Sequence, residues 1–436
     1  MKFYDRKTEI GTLNATLAQS ESSACFTMLV GRRRIGKTAL VLESLKRHKS
    51  LYLFVSRQTE PLLCALFQEA AEKALGLRIY GTIGRFRDLF EQLLRYARDV
   101  PYTLVIDEFQ DLERINPAIF SDIQELWDRY KDSAKINFIV SGSIYAMMVK
   151  IFEYGKEPLF GRMTAKMHLR PFRVSILKKI LKDYNPGYTP EDLLCLYMLT
   201  GGVPKYIEWL MDGGAVTCGA MLDRVCRIDS PFLDEGKTML ISEFGREYGT
   251  YFSILQLIAG GKNTQAEIDS IIGKNTGSYL ANLEGDYSLI TGVKPLFSKP
   301  GSRNRRWKIG DQYLRFWFRF IYPHQALIET GRNDLLRKFV QKNYEQYSGL
   351  VLENYFHEKI AEEGGAARMG NYWDTRGENE IDLIALDEVN KTALVAEIKR
   401  NPKKIHLAAL DLKAEKIRQE LAGYAVEFRG LSMEDM

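Results

Sequence analysis

Residues 31 to 38 read Gly31, Arg32, Arg33, Arg34, Ile35, Gly36, Lys37 and Thr38, a G-x-x-x-x-G-K-T run between an apolar stretch and a helical one. Each residue type has a task in holding phosphate. The glycines let the backbone curl so that successive N–H groups face an anion. The Lys37 ammonium can reach the β and γ oxygens of ATP, and the Thr38 hydroxyl can ligate Mg²⁺. Ala39 follows directly, so residues 31–39 form the expected nucleotide-binding segment. Such a loop needs an acid at the end of a neighbouring buried strand, and Thr103-Leu-Val-Ile-Asp107-Glu108 supplies it. Asp107 is expected to hold Mg²⁺ through its water shell, and Glu108 to orient or deprotonate the attacking water.

A second set of charged residues lies near the carboxy terminus, in Glu380-Ile-Asp382 and Glu397-Ile-Lys399. Both segments read as strands. Side-chain alternation puts Glu397 and Lys399 on one face, and Leu394, Ala396 and Ile398 on the other. Burying such charges is expensive unless they meet a metal or each other. Asp382 and Glu397 are therefore a candidate Mg²⁺ pair, with Lys399 to position or activate water for attack on a phosphodiester and Glu353 to complete the site. Between the two sets, residues 288–310 carry Lys294, Lys299, Arg303, Arg305, Arg306 and Lys308 and no acid. This is the electrostatic footprint of phosphate contacts, as in DNA binding, although a solubilising or protein-docking hairpin has the same composition.

The elements that must position these residues follow from periodicity. Short apolar runs at Cys25–Val30, Leu51–Val55, Thr103–Ile106 and Ile136–Val140 alternate with helical spacing such as Leu89, Leu93 and Leu94. That pattern predicts an α/β unit with a parallel sheet over residues 1–172. Residues 173–246 read as short helices, a helical lid broken at Gly201, Gly202 and Pro204. Residues 247–312 read as three helices, the second opened by a capping box at Thr264 and Glu267, followed by two strand-like pieces. This is the pattern of a winged helix-turn-helix. Residues 313–436 form a further α/β unit. Length agrees, because 436 residues suit two to four domains.

Hydrophobic residues at 45% and charged residues at 27% exclude a disordered or collagen-like chain. The net charge of +5 permits anionic partners without demanding them. Five cysteines without a C-x-x-C pair, and five scattered histidines, suggest neither a disulfide framework nor zinc. The charged amino terminus and the lack of an apolar run of roughly 18 residues predict a cytoplasmic protein with no membrane partner.

With its loop and acidic strand end, the amino-terminal segment resembles the AAA+ superfamily and, within it, STAND-like bacterial and archaeal ATPases. The resemblance implies further roles. Phe3-Tyr4-Asp5-Arg6 falls near the adenine, and Ser141 in Ser141-Gly-Ser143 falls where a polar sensor belongs. Arg162 in Pro158-Leu-Phe-Gly-Arg162 falls where a guanidinium stabilises transition-state charge, across a subunit boundary in a homo-oligomer. Pro204 in Gly201-Gly-Val-Pro204 falls in the lid element that contacts the nucleotide. The carboxy-terminal carboxylates resemble the PD-(D/E)xK nuclease superfamily, with Ile381 in place of the namesake proline. The whole chain resembles an ATPase family whose last domain shares that nuclease-like fold. Two functions follow: a Mg²⁺-dependent DNA nuclease regulated by ATP, or an ATP-switched regulator that holds DNA or a protein partner on an inactive scaffold.

Overall fold

In the computed structural model, described for residues 1–46, 48–244, 248–299, 301–302, 304–374 and 377–436, the chain divides into two compact units. The first, Asp5–Arg170, is built on five strands: β1 (Cys25–Val30), β2 (Ser50–Phe54), β3 (Tyr102–Asp107), β4 (Ile136–Gly142) and β5 (Ala165–His168). They form one parallel sheet in the order β2-β3-β4-β1-β5. Every residue of β1, β3 and β4 is buried, as expected of central strands covered on both faces. The helix Phe86–Asp99 shows why the covering layers form: Phe86, Leu89, Phe90, Leu93, Leu94 and Ala97 recur at helical spacing and are all buried. Phe26 on β1 stacks on Phe138 of β4 with centroids 4.5 Å apart and meets Trp127 of the helix Ile119–Tyr130 at 5.0 Å.

The second unit comprises Met1–Tyr4 and Pro171–Met436. Its first helices include Val174–Tyr184, Pro190–Thr200, Pro204–Met211 and Cys218–Cys226. The helix at Pro190 opens on a capping box between Thr189 and Asp192. Gly201 and Gly202 have φ of 54° and 79°, and a Cβ at Gly202 would lie 2.2 Å from the Phe172 carbonyl oxygen. Glycine is required there on both counts.

Tyr248–Ala259, Gln265–Ile272 and Gly277–Gly285 follow as three helices, with the capping box at Thr264 and Glu267 in place. After them β6 (Ile290–Val293) and β7 (Arg306–Ile309) pair as an antiparallel hairpin. The helix Gln312–Phe316, a wide π turn over Trp317–Ile321 and the helix Asn333–Glu363 lead to a second sheet. Its strands are β8 (Arg368–Trp373), β9 (Glu380–Asp387), β10 (Thr392–Ile398) and β11 (Ala425–Leu431), in the order β11-β10-β9-β8. Only the β10–β11 pair is parallel. Leu410, Ala414, Ile417 and Leu421, from and beyond the helix Leu407–Ala414, close a core against Ile384, Leu386, Ala393 and Val395.

The sequence divides residues 173–436 at 246 and 312. Residue 246 lies outside the described residues, and all three segments pack into one compact unit. Trp317 Nε1 donates to the Leu233 carbonyl at 2.8 Å, and the Tyr313 hydroxyl donates to the Phe232 carbonyl at 2.8 Å. The hairpin is also tied to the second sheet. Leu296 N–H donates to the Asn371 carbonyl at 2.9 Å, and Trp373 Nε1 to Asn304 Oδ1 at 2.9 Å, so the edge strand β8 is covered. Among the described residues no helix is long and apolar enough to cross a membrane.

Candidate functional site

β1 ends at Val30, and the chain turns through Gly31 into the helix Lys37–Ser44, whose N-cap Gly36 has φ 92°. A Cβ at Gly31 would lie 2.8 Å from the Leu169 carbonyl oxygen, so the loop passes hard against the chain beyond β5. Lys37 is buried. Its ammonium donates to the carbonyls of Gly31 at 2.7 Å and Arg32 at 3.3 Å, bridging the loop from within. Burial lowers its proton affinity, while Glu108 and Asp107 act to raise it.

Asp107 ends β3 and is the hub of this site. Thr38 Oγ1 donates to its Oδ2 at 3.1 Å, Tyr52 of β2 donates to the same oxygen, and Ser141 of β4 donates to Oδ1. Parallel register explains the convergence, because β2 and β4 flank β3 and bring their carboxyl ends to the same edge. Burial, with Asp107 next, pushes the Tyr52 phenol far up, so it stays a donor. Hydroxyl and carboxylate oxygens a hydrogen bond apart suit a hard dication, so Thr38 and Asp107 fit Mg²⁺. Glu108 has φ 53°, and its carboxylate accepts from Gln110 Nε2 at 2.6 Å and Ser143 Oγ at 2.7 Å. The structure thus brings Lys37, Thr38, Asp107, Glu108 and Ser141 together.

Arg162 has other partners. Its guanidinium donates to Asp128 at 2.7 Å and to the carbonyls of Pro158 and Phe160, and it holds Asp128 below the usual carboxylate range. Pro204 begins a helix of the second unit. Tyr52 and Gln110 were not foreseen. Strand pairing is what aims them, and no spacing rule reports it.

In the second unit, β9–β10 pairing runs from Thr392 with Asp387 to Ala396 with Leu383, and Glu397 and Asp382 are the next residues along the two strands. Lys399 Nζ lies 2.8 Å from Asp382 Oδ2 and 3.8 Å from Glu397 Oε1. Asp382 also accepts from Ile398 N–H at 2.8 Å, and Glu397 accepts from His406 N–H at 3.1 Å and meets Lys413 at 3.5 Å. Glu353 arrives from the helix Asn333–Glu363. Burial first, then the charge of Asp382, pushes its carboxyl up to about 7.

Ala393 and Val395, of the same parity along β10 as Glu397 and Lys399, pack in the core with Leu410. Ala396 and Ile398 are buried as well, because this sheet is covered on both sides and alternation ceases to sort polar from apolar. No group of three or more His, Cys, Asp or Glu side chains among the described residues is placed to hold an ion. Even so, the Glu353 carboxyl has no hydrogen-bond donor among them and sits beside a second carboxylate. Carboxylate oxygens are the ligands that Mg²⁺ takes, and Glu353 is the one of the three carboxylates with no donor of its own.

The basic stretch is partly committed to protein. Arg305 pairs with Glu284 at 3.3 Å and lies over the Trp307 ring; Arg306 pairs with Glu380 at 2.6 Å and lies over Trp373. Lys308 is turned inward, where burial lowers its proton affinity. Lys294 and Lys299 are exposed, and Arg303 lies outside the described residues.

The first unit, with its parallel sheet and phosphate loop, has a P-loop NTPase fold. Residues 3–210 match the family described as an ATPase domain predominantly from Archaea, and residues 317–419 match one described as archaeal and bacterial proteins of unknown function. The uncharacterized protein MJECL04 of Methanocaldococcus jannaschii is 31% identical over 422 residues, covering 93% of this chain and 90% of that protein. The chain belongs to the family of that protein, with an archaeal ATPase domain at its amino end and the domain of unknown function at its carboxy end. Among solved structures, the Walker-type ATPase PABY2304 of Pyrococcus abyssi is similar in fold, with a TM-score of 0.54 and 20% identity over 72% of this chain and 96% of that one. The ORC2 protein of Aeropyrum pernix gives a TM-score of 0.44 and 16% identity over 76% of this chain and 95% of that one.

Proposed function

We propose that the chain is an ATPase acting on DNA, in which nucleotide state governs a Mg²⁺-dependent phosphodiester-cleaving site in the carboxy-terminal sheet. The observation that carries this reading is the convergence of Glu353, Asp382, Glu397 and Lys399 from one helix and two strands. In the first unit, Lys37 and the backbone amides of residues 31–39 hold the phosphates of ATP. Thr38 and Asp107 would hold Mg²⁺, which when bound withdraws charge from the phosphate oxygens. Ser141 and Tyr52 fix the Asp107 carboxylate, and Glu108 takes the proton of the attacking water. Arg162 serves a neighbouring copy of the chain once Asp128 releases it, and Pro204 shapes the turn that opens the helix Pro204–Met211.

In the second unit, Asp382 and Glu397 would hold Mg²⁺, which supplies Lewis acidity to the scissile phosphate. Lys399 orients the water, and Glu353, poised near neutrality, is a proton acceptor. The three helices and hairpin over 248–309 read as a winged helix-turn-helix, with the exposed Lys294 and Lys299 available to DNA phosphates.

The alternative, an ATP-switched regulator on an inactive scaffold, is favoured by one observation: Lys399 and Lys413 already compensate the Asp382 and Glu397 charges. Phosphate release from Mg²⁺-ATP, with and without DNA, run beside a plasmid-cleavage gel, separates the two. DNA-stimulated release with cutting that Lys399→Ala abolishes supports the nuclease. Intact plasmid leaves the regulator, and cutting that survives Lys399→Ala sinks the proposed site.

A further inference from the structure

Alternation along β7 buries Trp307 and Ile309 and turns Arg306 and Lys308 to the other face. That face meets β9, because Arg306 pairs with Glu380 at 2.6 Å. Lys308 lies two residues on from Arg306, on that same face. Glu353 is the carboxylate that acts most strongly on the Lys308 charge, and Arg315 of the helix Gln312–Phe316 acts on both. The hairpin cannot readily swing away, since Leu296 and Asn304 anchor its loop to Asn371 and Trp373.

Among the described residues, neither the Lys308 ammonium nor the Arg315 guanidinium has a hydrogen bond or ion pair to a carboxylate. Lys399 and Lys413, in contrast, are ion-paired. Four cations therefore act on three carboxylates, Glu353, Asp382 and Glu397; of the four, Lys308 and Arg315 are not ion-paired, and Arg315 lies over the Tyr347 ring at 5.9 Å. An inward-turned lysine beside a fork-shaped guanidinium, neither hydrogen-bonded to a carboxylate, is the donor set that takes phosphate oxygens.

We propose that Lys308 and Arg315 form a seat for a DNA backbone phosphate at the Asp382–Glu397–Lys399 site, making the hairpin a wall of that site and not a wing inserted in a groove. This rests on reading the site as directed at phosphodiesters. Both residues lie outside the carboxy-terminal family match, which begins at 317.

The test is fluorescence anisotropy of a short DNA duplex with the full-length chain in EDTA over a salt series, comparing wild type with Lys308→Gln, Lys308→Arg and Arg315→Gln. Lys308→Gln should weaken binding about tenfold and reduce the slope of log K against log[salt] by about 0.9, and Lys308→Arg should restore most of both. Unchanged affinity and slope in both glutamine variants overturn the proposal. So does absent binding by wild type, stronger binding of an RNA duplex run alongside, or a Lys308→Arg chain with native melting that binds no better than Lys308→Gln. Binding that depends on Lys308 without plasmid cleavage sinks the nuclease reading alone. Cleavage that depends on Lys399, with binding indifferent to Lys308 and Arg315, sinks this inference alone.

Discussion

Lys37 and Glu108 make separable predictions because they touch different parts of the reaction. Lys37→Ala removes the buried cation that bridges the phosphate loop and should abolish ATP binding, read by nucleotide titration. Glu108→Gln keeps size and hydrogen bonding but loses the base, so binding should persist while turnover falls roughly 100-fold or more. Equal turnover refutes Glu108 as base. Gln110 holds the Glu108 carboxylate at 2.6 Å. Gln110 and Ser143 both donate to its Oε2, which is then not free to accept from water. Gln110→Ala should therefore raise basal turnover severalfold at unchanged nucleotide affinity, measured by steady-state phosphate release; a fall instead would make Gln110 a positioning residue. Glu353 predicts a pH dependence. Its carboxyl rises from 4.5 to about 7 on folding, so between those values the folded chain keeps a proton that the unfolded chain has lost. Stability from this group is complete below pH 4.5 and declines as pH rises to about 7, by up to about 3 kcal/mol. Melting curves at pH 5 and pH 8 should show wild type losing stability relative to Glu353→Gln. A constant difference would place the carboxyl in an ordinary environment.

At the scale of elements, the turn between Pro190–Thr200 and Pro204–Met211 is the most constrained. Gly202 has φ 79° and faces the Phe172 carbonyl, so Gly202→Ala meets backbone strain and a clash together. A loss of roughly 2 kcal/mol or more is expected in chemical denaturation, and a loss below 0.5 would mean that the turn relaxes freely. Much at this scale was legible in the sequence. β1 falls at the residues its apolar run specified, and the capping box at Thr264 marks a helix start because it is a local bonding pattern. β5, β8 and β11 were not legible. They are short or carry polar side chains, as the mostly exposed β11 does, and pairing with a neighbour is what makes them strands.

For the whole molecule, the covered edge of β8 has a consequence for truncation. A fragment of residues 313–436 lacks the hairpin loop that meets Asn371 and Trp373, so an edge strand is bared. It should aggregate in size-exclusion chromatography, where a fragment of residues 171–436 runs as a folded species; a well-behaved short fragment would show that the hairpin is dispensable to the sheet. The sequence by itself determined the phosphate loop, its acidic strand end and the existence of a carboxylate–lysine set, because these chemistries are written in residue type and short spacing. Only the tertiary structure decided which side chains share a pocket. Tyr52 reaches Asp107 through parallel strand register, and Lys308 turns toward Glu353 because its hairpin is clamped to a second sheet. Both depend on contacts between residues far apart in the chain, which local propensity and spacing do not encode.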